Sequence, residues 1–242
     1  MTSAAAAEYQ AWISDVSGDA VVSQLAKDWS DFAAEERPVL TLFGAFDTGK
    51  SSILRRLLVD AGQPLPDWLT ISARHETFTE NGVTVNGCLL RDTPGLSPDG
   101  LDARSLNNSE VARSAPGRTD VLLVTPNPQL TTAEHPELVD ILSRGWSNGG
   151  VWFLISRADE GGVDPTLDPE GFEAWSTRKR EELKESLKLS ESARVFVLVP
   201  DFAGLGAYEP DPTPAVWDIS RDWDGMAELS AAMQEFSTQH LA

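Results

Sequence analysis

From Val39 onward, short apolar runs alternate with longer amphipathic stretches. The runs VLTLF (39–43), DVLLVTP (120–126), VWFLIS (151–156) and RVFVLVP (194–200) are mostly apolar, as strands covered on both faces of a sheet are. Between them, apolar positions at helical spacing predict helices at about 50–60, 104–115, 131–144 and 170–189. A last helix is expected around 225–240, with Met226, Leu229, Met233 and Phe236 on one face. This order predicts a three-layer α/β domain built on a mostly parallel sheet. One pair of runs departs from the pattern. HETFTE and VTVNGCLLRD flank Asn81-Gly82, a dipeptide suited to a tight hairpin turn, so one of the six strands is expected to run antiparallel. The Pro- and Gly-rich stretch 201–222 predicts a long loop of the kind that often carries function.

Ahead of this domain, Tyr9, Trp12, Ile13 and Val16, then Val21, Leu25, Trp29 and Phe32, predict two helices broken near Gly18. The expected organisation is an N-terminal helical segment, 1–37, followed by the α/β domain, 38–242. Charge narrows the partners. Lys and Arg total 19 against 38 Asp and Glu, a net charge of -19, which repels nucleic acid and anionic lipid. No apolar run approaches the length of a membrane span, and the N-terminus lacks the basic start and apolar core of a secretion signal. The single cysteine, Cys88, cannot form an internal disulfide, which agrees with a reducing, cytoplasmic location.

The candidate chemistry begins where the first strand meets the first helix. GAFDTGKSS, residues 44–52, fits G-x-x-x-x-G-K-[ST] with Gly44, Gly49, Lys50 and Ser51. Glycines let the chain curl so that successive N–H groups, from Gly44, Ala45, Phe46, Asp47, Thr48 and Gly49 into Lys50, Ser51 and Ser52, converge on a phosphate. Lys50 is expected to neutralise the β and γ oxygens, and the Ser51 hydroxyl to ligate Mg²⁺. Some 40 residues on, Arg91-Asp92-Thr93-Pro94-Gly95-Leu96 follows an apolar run, at the strand end where such sheets bind ligands. Asp92 there supports Mg²⁺ and the Gly95 N–H meets the γ-phosphate. The fifth strand ends in Ser156-Arg157-Ala158-Asp159, and a carboxylate at Asp159 accepts from both N1–H and the N2 amino group of guanine.

These three motifs, in this order and with the hairpin, resemble the translation-factor-related P-loop GTPases, in particular the Era-like and dynamin-like branch, over residues 37–240. The resemblance implies a P-loop NTPase fold, a Mg²⁺·GTP/GDP site, slow GTP hydrolysis, and loops that order around the γ-phosphate. It implies a threonine ligand to Mg²⁺ in the first switch loop, for which Thr70 and Ser72 are the two candidates. The family's last base-contacting element falls at Val199-Pro200-Asp201 and does not match, although Asp201 stays among the expected nucleotide-binding residues. Arg157 stands where lysine is usual. Leu96 stands where many small GTPases carry a water-orienting glutamine. Asp47 lies where relatives carry an asparagine beside a K⁺ ion; it either holds such an ion or caps the loop and forms a salt bridge. Lys50, Asp47 and Gly95 are therefore the expected catalytic residues, and a homodimer across the nucleotide face or a protein effector is the expected partner. A GTP-sensing module with little turnover and an ATP-using P-loop enzyme are the rival readings.

Overall fold

The computed structural model describes residues 27, 29–45, 47–69, 81–93, 118–126, 135–143, 146 and 149–240. The chain divides into two units, 1–36 and 37–242. In the first, residues 29–33 are helical, Lys27 pairs with Asp31 at 2.7 Å, and the rings of Trp29 and Phe32 lie 5.7 Å apart. The helices expected before residue 27 and at 104–115, and the strand expected at HETFTE, fall outside the described residues.

The second unit is a six-stranded sheet in the order β2-β3-β1-β4-β5-β6. The strands are β1 (Val39–Phe43), β2 (Asn81–Val85), β3 (Cys88–Asp92), β4 (Val121–Val124), β5 (Val151–Ile155) and β6 (Arg194–Val197). Among the described residues only the β2–β3 pair is antiparallel. The helices are α1 (Lys50–Asp60), α2 (His135–Leu142), α3 (Pro169–Leu187) and α4 (Met226–His240). Dense apolarity in β1 and β4 has the expected cause, since every residue of both is buried. Leu40 and Leu42 of β1 pack with Ile53, Leu54 and Leu57 of α1 and with Leu229 and Met233 of α4. On the opposite face, Phe43, Leu122 and Phe153 pack with Phe172, Trp175 and Leu183 of α3. Among the described residues, no helix is long and apolar enough to cross a membrane.

The hairpin turn is not at Asn81-Gly82. Those two residues belong to β2, paired with Asp92 and Arg91, and the chain reverses at Asn86-Gly87, with φ of 52° and 78°. The dipeptide occurs twice within seven positions, and side-chain alternation chooses between the copies. Turning at 86–87 pairs Val85 with Cys88, Val83 with Leu90 and Asn81 with Asp92, which sends Cys88, Leu90 and Asp92 inward as a set. Glycine is required at 87, because a Cβ there would lie 2.4 Å from the Ser237 hydroxyl.

The stretch 201–222 is a long connection as expected, folded into short turns at Phe202–Gly204 and Pro214–Trp217. A buried ion pair anchors it to α1. Arg56, 1% exposed, donates through Nη2 to Asp224 at 2.8 Å and through Nε to Asp60 at 2.6 Å, and its guanidinium lies 4.6 Å from the Trp217 ring centre. Burial raises the Asp224 pKa, and the Arg56 charge opposes that rise. Arg56→Ala leaves Asp224 buried without its partner and is expected to cost about 3–5 kcal/mol in denaturant unfolding, whereas Arg56→Met with Asp224→Leu is expected to recover much of that loss.

Candidate functional site

The loop between β1 and α1 is squeezed between the ends of two neighbouring strands. At Gly44 a Cβ would lie 2.2 Å from Thr125 Oγ1 and 2.5 Å from the Thr125 carbonyl, just beyond β4. At Gly49, with φ of 82°, it would lie 2.8 Å from the Ser156 hydroxyl, just beyond β5. Both glycines are therefore dictated by close approach, and the second also by a left-handed backbone. Thr48, buried, donates to the Ala45 carbonyl at 3.0 Å and shares a 2.7 Å hydrogen bond with Thr125 Oγ1. Ser156 donates to the Thr48 carbonyl.

This bracing presents the start of α1. Its first intrahelical bond runs from Ile53 N to Gly49 O at 2.9 Å, so the amides of Lys50, Ser51 and Ser52 precede the ladder and point along the helix axis, at its positive end. Lys50, 7% exposed, lays its ammonium against the loop, donating to the carbonyls of Ala45 at 2.6 Å and Gly44 at 3.2 Å. The Ser51 hydroxyl donates to Asp92 Oδ2 at 3.1 Å. Two residues 41 positions apart are thus joined at adjacent ends of α1 and β3, and both offer the hard oxygen ligands that suit Mg²⁺. Thr93 points elsewhere, donating to the Leu42 carbonyl at 2.7 Å. Phe46, Thr70, Ser72 and Gly95 lie outside the described residues.

The other end of the site is built from the β5 and β6 exits. Arg157 donates through Nη1 to the Asp47 carbonyl and contacts Asp47 Oδ2, both at 2.9 Å, while its Nε reaches Glu160 at 2.7 Å. Asp47 thus has the salt bridge that was one of its two expected uses. Its partner is Arg157, of the run Ser156-Arg157-Ala158-Asp159 at the β5 exit. The Asp159 carboxyl lies near its own amide and that of Ala203, in the loop after β6. Burial is the largest influence on its carboxyl and raises the pKa; the two amides and Arg157 pull it down, while Glu160 adds to the rise. Among the described residues five non-glycines have positive φ, and three of them are Asp47, Arg157 and Ala203, at 60°, 56° and 51°. Strained backbone is thereby concentrated at one site, whose bonding network holds it in place.

Asp201 does something other than expected. Its Oδ1 accepts from the Gly206 amide at 2.6 Å and from Trp217 Nε1 at 2.9 Å, and its Oδ2 from the Ala207 amide at 2.9 Å. Both oxygens are therefore engaged within its own loop. The sequence reading also missed Thr125 and Ala203. The only signal for Thr125 was its place after a buried strand, and Ala203 acts through backbone alone. Among the described residues no cluster of His, Cys, Asp and Glu has metal-binding geometry. Cys88 is buried, with its pKa pushed up to about 11 by burial and then by Asp120, and is not a nucleophile. A cavity of about 550 Å³ lies away from the phosphate loop, where α1 ends beside α4, and its charged walls (Arg56, Asp60, Arg221 and Asp224) are paired with one another.

No family model matches the chain, and no curated protein matches it. Solved structures do. LeoA, a bacterial dynamin GTPase from ETEC, superposes with a TM-score of 0.57 at 14% identity over 92% of this chain, which spans 40% of LeoA. Toc33 from Arabidopsis thaliana, in complex with GDP and Mg²⁺, gives 0.52 at 14% identity, covering 91% of this chain and 93% of Toc33. A GTP-binding protein from the archaeon Sulfolobus solfataricus, in complex with GDP, gives 0.50 at 14% identity, over 92% of this chain and 58% of that one. At such identities the likeness speaks for architecture, and the architecture is that of the P-loop GTPases.

Proposed function

We propose that the chain binds guanine nucleotide with Mg²⁺ and acts as a nucleotide-dependent switch that hydrolyses GTP to GDP and phosphate slowly on its own. The observation that carries this is the sharing of one sheet edge by three groups: the Lys50 ammonium on its loop, the Ser51–Asp92 pair, and the Asp159 carboxylate. A ligand reaching from one to the other needs an anionic tail, a metal-binding middle and a base with two adjacent donors, which describes Mg²⁺·GTP. Ser51 would ligate the metal and Asp92 support it, with Thr70 or Ser72 from the first switch loop. When bound, Mg²⁺ neutralises charge on the phosphate oxygens. Gly95 would meet the γ-phosphate, and Asp159, not Asp201, would read guanine.

With Leu96 after the sequence Asp92-Thr93-Pro94-Gly95, the water-positioning group is proposed to come from a partner, either a second copy across the nucleotide face or a protein effector. The same leucine favours the second reading, a GTP-sensing module with little turnover; phosphate release over many turnovers separates the two. The dynamin-like or Era-like subtype and a cytoplasmic location belong to the proposal as well. A K⁺ ion at Asp47 would have to share that carboxylate with Arg157.

Lys50→Ala is expected to weaken GTP binding by about 2–3 kcal/mol, on the order of a hundredfold in Kd by calorimetry; unchanged binding overturns the phosphate site. Asp159→Asn is expected to exchange the preference for guanine for one for xanthine nucleotides, because it reverses one hydrogen-bond demand. The pH dependence has a definite sign. Asp159 reads guanine as the anion, so affinity is full above its pKa and falls as pH drops through it. Because that pKa is raised, the loss is expected to begin at higher pH than for an ordinary aspartate, and a titration of GDP affinity should show this acid limb in the wild type and not in Asp159→Asn. Turnover is expected to be equal in KCl and NaCl, with the Arg157 guanidinium holding Asp47; stimulation by K⁺ would assign the carboxylate to the ion instead.

A further inference from the structure

A carboxylate stands in the middle of the loop that is read as holding phosphate. Asp47 lies between the glycines at 44 and 49, in the stretch that leads into the first turn of α1, and its side chain is 74% exposed. An anion at that position repels an anionic ligand. The β5 exit supplies the counter-charge. Arg157 Nη1 meets both oxygens that Asp47 turns toward it, the main-chain carbonyl and Oδ2, each at 2.9 Å, so both hydrogens of that nitrogen serve one residue. The planar guanidinium is fixed from its other side, where Nε reaches Glu160 Oε1 at 2.7 Å. The stem of Arg157 passes Gly49, where an added Cβ would lie 3.8 Å from its Cγ. The cation is therefore seated along the loop. Its two carboxylate neighbours, Glu160 foremost, raise the Arg157 pKa against the lowering by burial, so its charge is present at any working pH.

We propose that Asp47 and Arg157 form a self-cancelling charge pair that sets the strength of phosphate binding, with Asp47 acting as a built-in brake that keeps the grip loose enough for nucleotide to leave. This rests on the phosphate reading of the 44–52 loop given above. Opposite charges 2.9 Å apart largely cancel at the greater distance of a bound phosphate, whereas either charge alone is felt there. Arg157 without Asp47 adds an attracting cation beside the loop. Asp47 without Arg157 leaves a repelling anion in it. Lys50 and the first amides of α1 hold the phosphate in every case, and the pair only scales that hold. Both side chains are partly exposed, so their influence is screened by salt. A merely structural bridge predicts the opposite sign at Asp47, because losing either partner would loosen the loop and lower affinity.

The test is calorimetry on the full chain with inorganic tripolyphosphate and with GDP, each with Mg²⁺ in a NaCl buffer, together with the rate of GDP release. Asp47→Asn keeps the side-chain shape and is expected to tighten tripolyphosphate about fivefold at low salt and to slow GDP release by a similar factor. Arg157→Gln is expected to weaken tripolyphosphate about fivefold. The double variant is expected to bind within about twofold of the wild type, and both single-variant effects are expected to shrink at about 0.5 M NaCl. Glu160→Gln relieves Arg157 of its other carboxylate without altering the loop; it is expected to tighten tripolyphosphate about twofold, and provides the reading if a loop variant does not fold. Unchanged or weaker tripolyphosphate binding in Asp47→Asn overturns the inference, as does a double variant that binds no better than Arg157→Gln. A wild type that binds neither tripolyphosphate nor GDP overturns the phosphate reading and this inference with it, whereas a wild type that binds both, with Asp47→Asn no tighter, removes this inference alone.

Discussion

Everything at the candidate site depends on how closely a short loop approaches the ends of β4 and β5. The space over Thr125 and Ser156 admits backbone and no Cβ, which is why glycine stands at 44 and 49. Once the chain is pressed into that gap, the remaining geometry follows. Thr48 finds Thr125, Ser156 finds the Thr48 carbonyl, and α1 starts with its first-turn amides facing outward at the strand ends. A dipole end and an ammonium are thereby fixed before any ligand arrives, which is the preorganisation that anion binding rewards. The parallel sheet supplies the gap itself, because parallel strands all finish on the same edge.

The far end of the site is held by a different kind of force. The base of the 44–49 loop is held by buried hydroxyls and by the Lys50 ammonium on two carbonyls, whereas the groups around Asp159 are charged and partly exposed. Arg157 bridges the two regimes by spanning from Glu160 to Asp47. Exposed ion pairs of this sort contribute modestly, about 1 kcal/mol or less each, so the bridge aligns the two halves more than it stabilises them. The stabilising share falls to Arg56 and Asp224 beneath, where burial makes each partner indispensable to the other.

Much of this was legible in the sequence because it depends on local rules. Dense apolarity marked β1 and β4, and the glycine-lysine-serine spacing marked the start of α1 at Lys50. Ser51 and Asp92 were assigned to one metal from their two motifs, whereas the direct hydrogen bond between them is a finding of the structure. What escaped reading was long-range or confined to the main chain. The two Asn-Gly dipeptides are equivalent as turn formers, and only the pairing of Asp92 with Asn81 shows which one turns. Asp201 looked like a ligand because it sits after β6, yet the donors it serves include an indole 16 residues away. Ala203 carries no side-chain information at all. Thr125 is one threonine among several until β4 is laid beside β1.

The single thiol has a consequence for handling the molecule. Cys88 sits in β3 with no exposed surface, its thiol directed at the Met233 carbonyl 3.5 Å away on α4, and its acidity is suppressed. Thiolate is the form of cysteine that reacts with alkylating and oxidising reagents, so Cys88 in the folded chain should be inert to them. Modification would then require β3 and α4 to part, making the rate of sulfhydryl labelling a clock for the opening of the core rather than a measure of redox sensitivity.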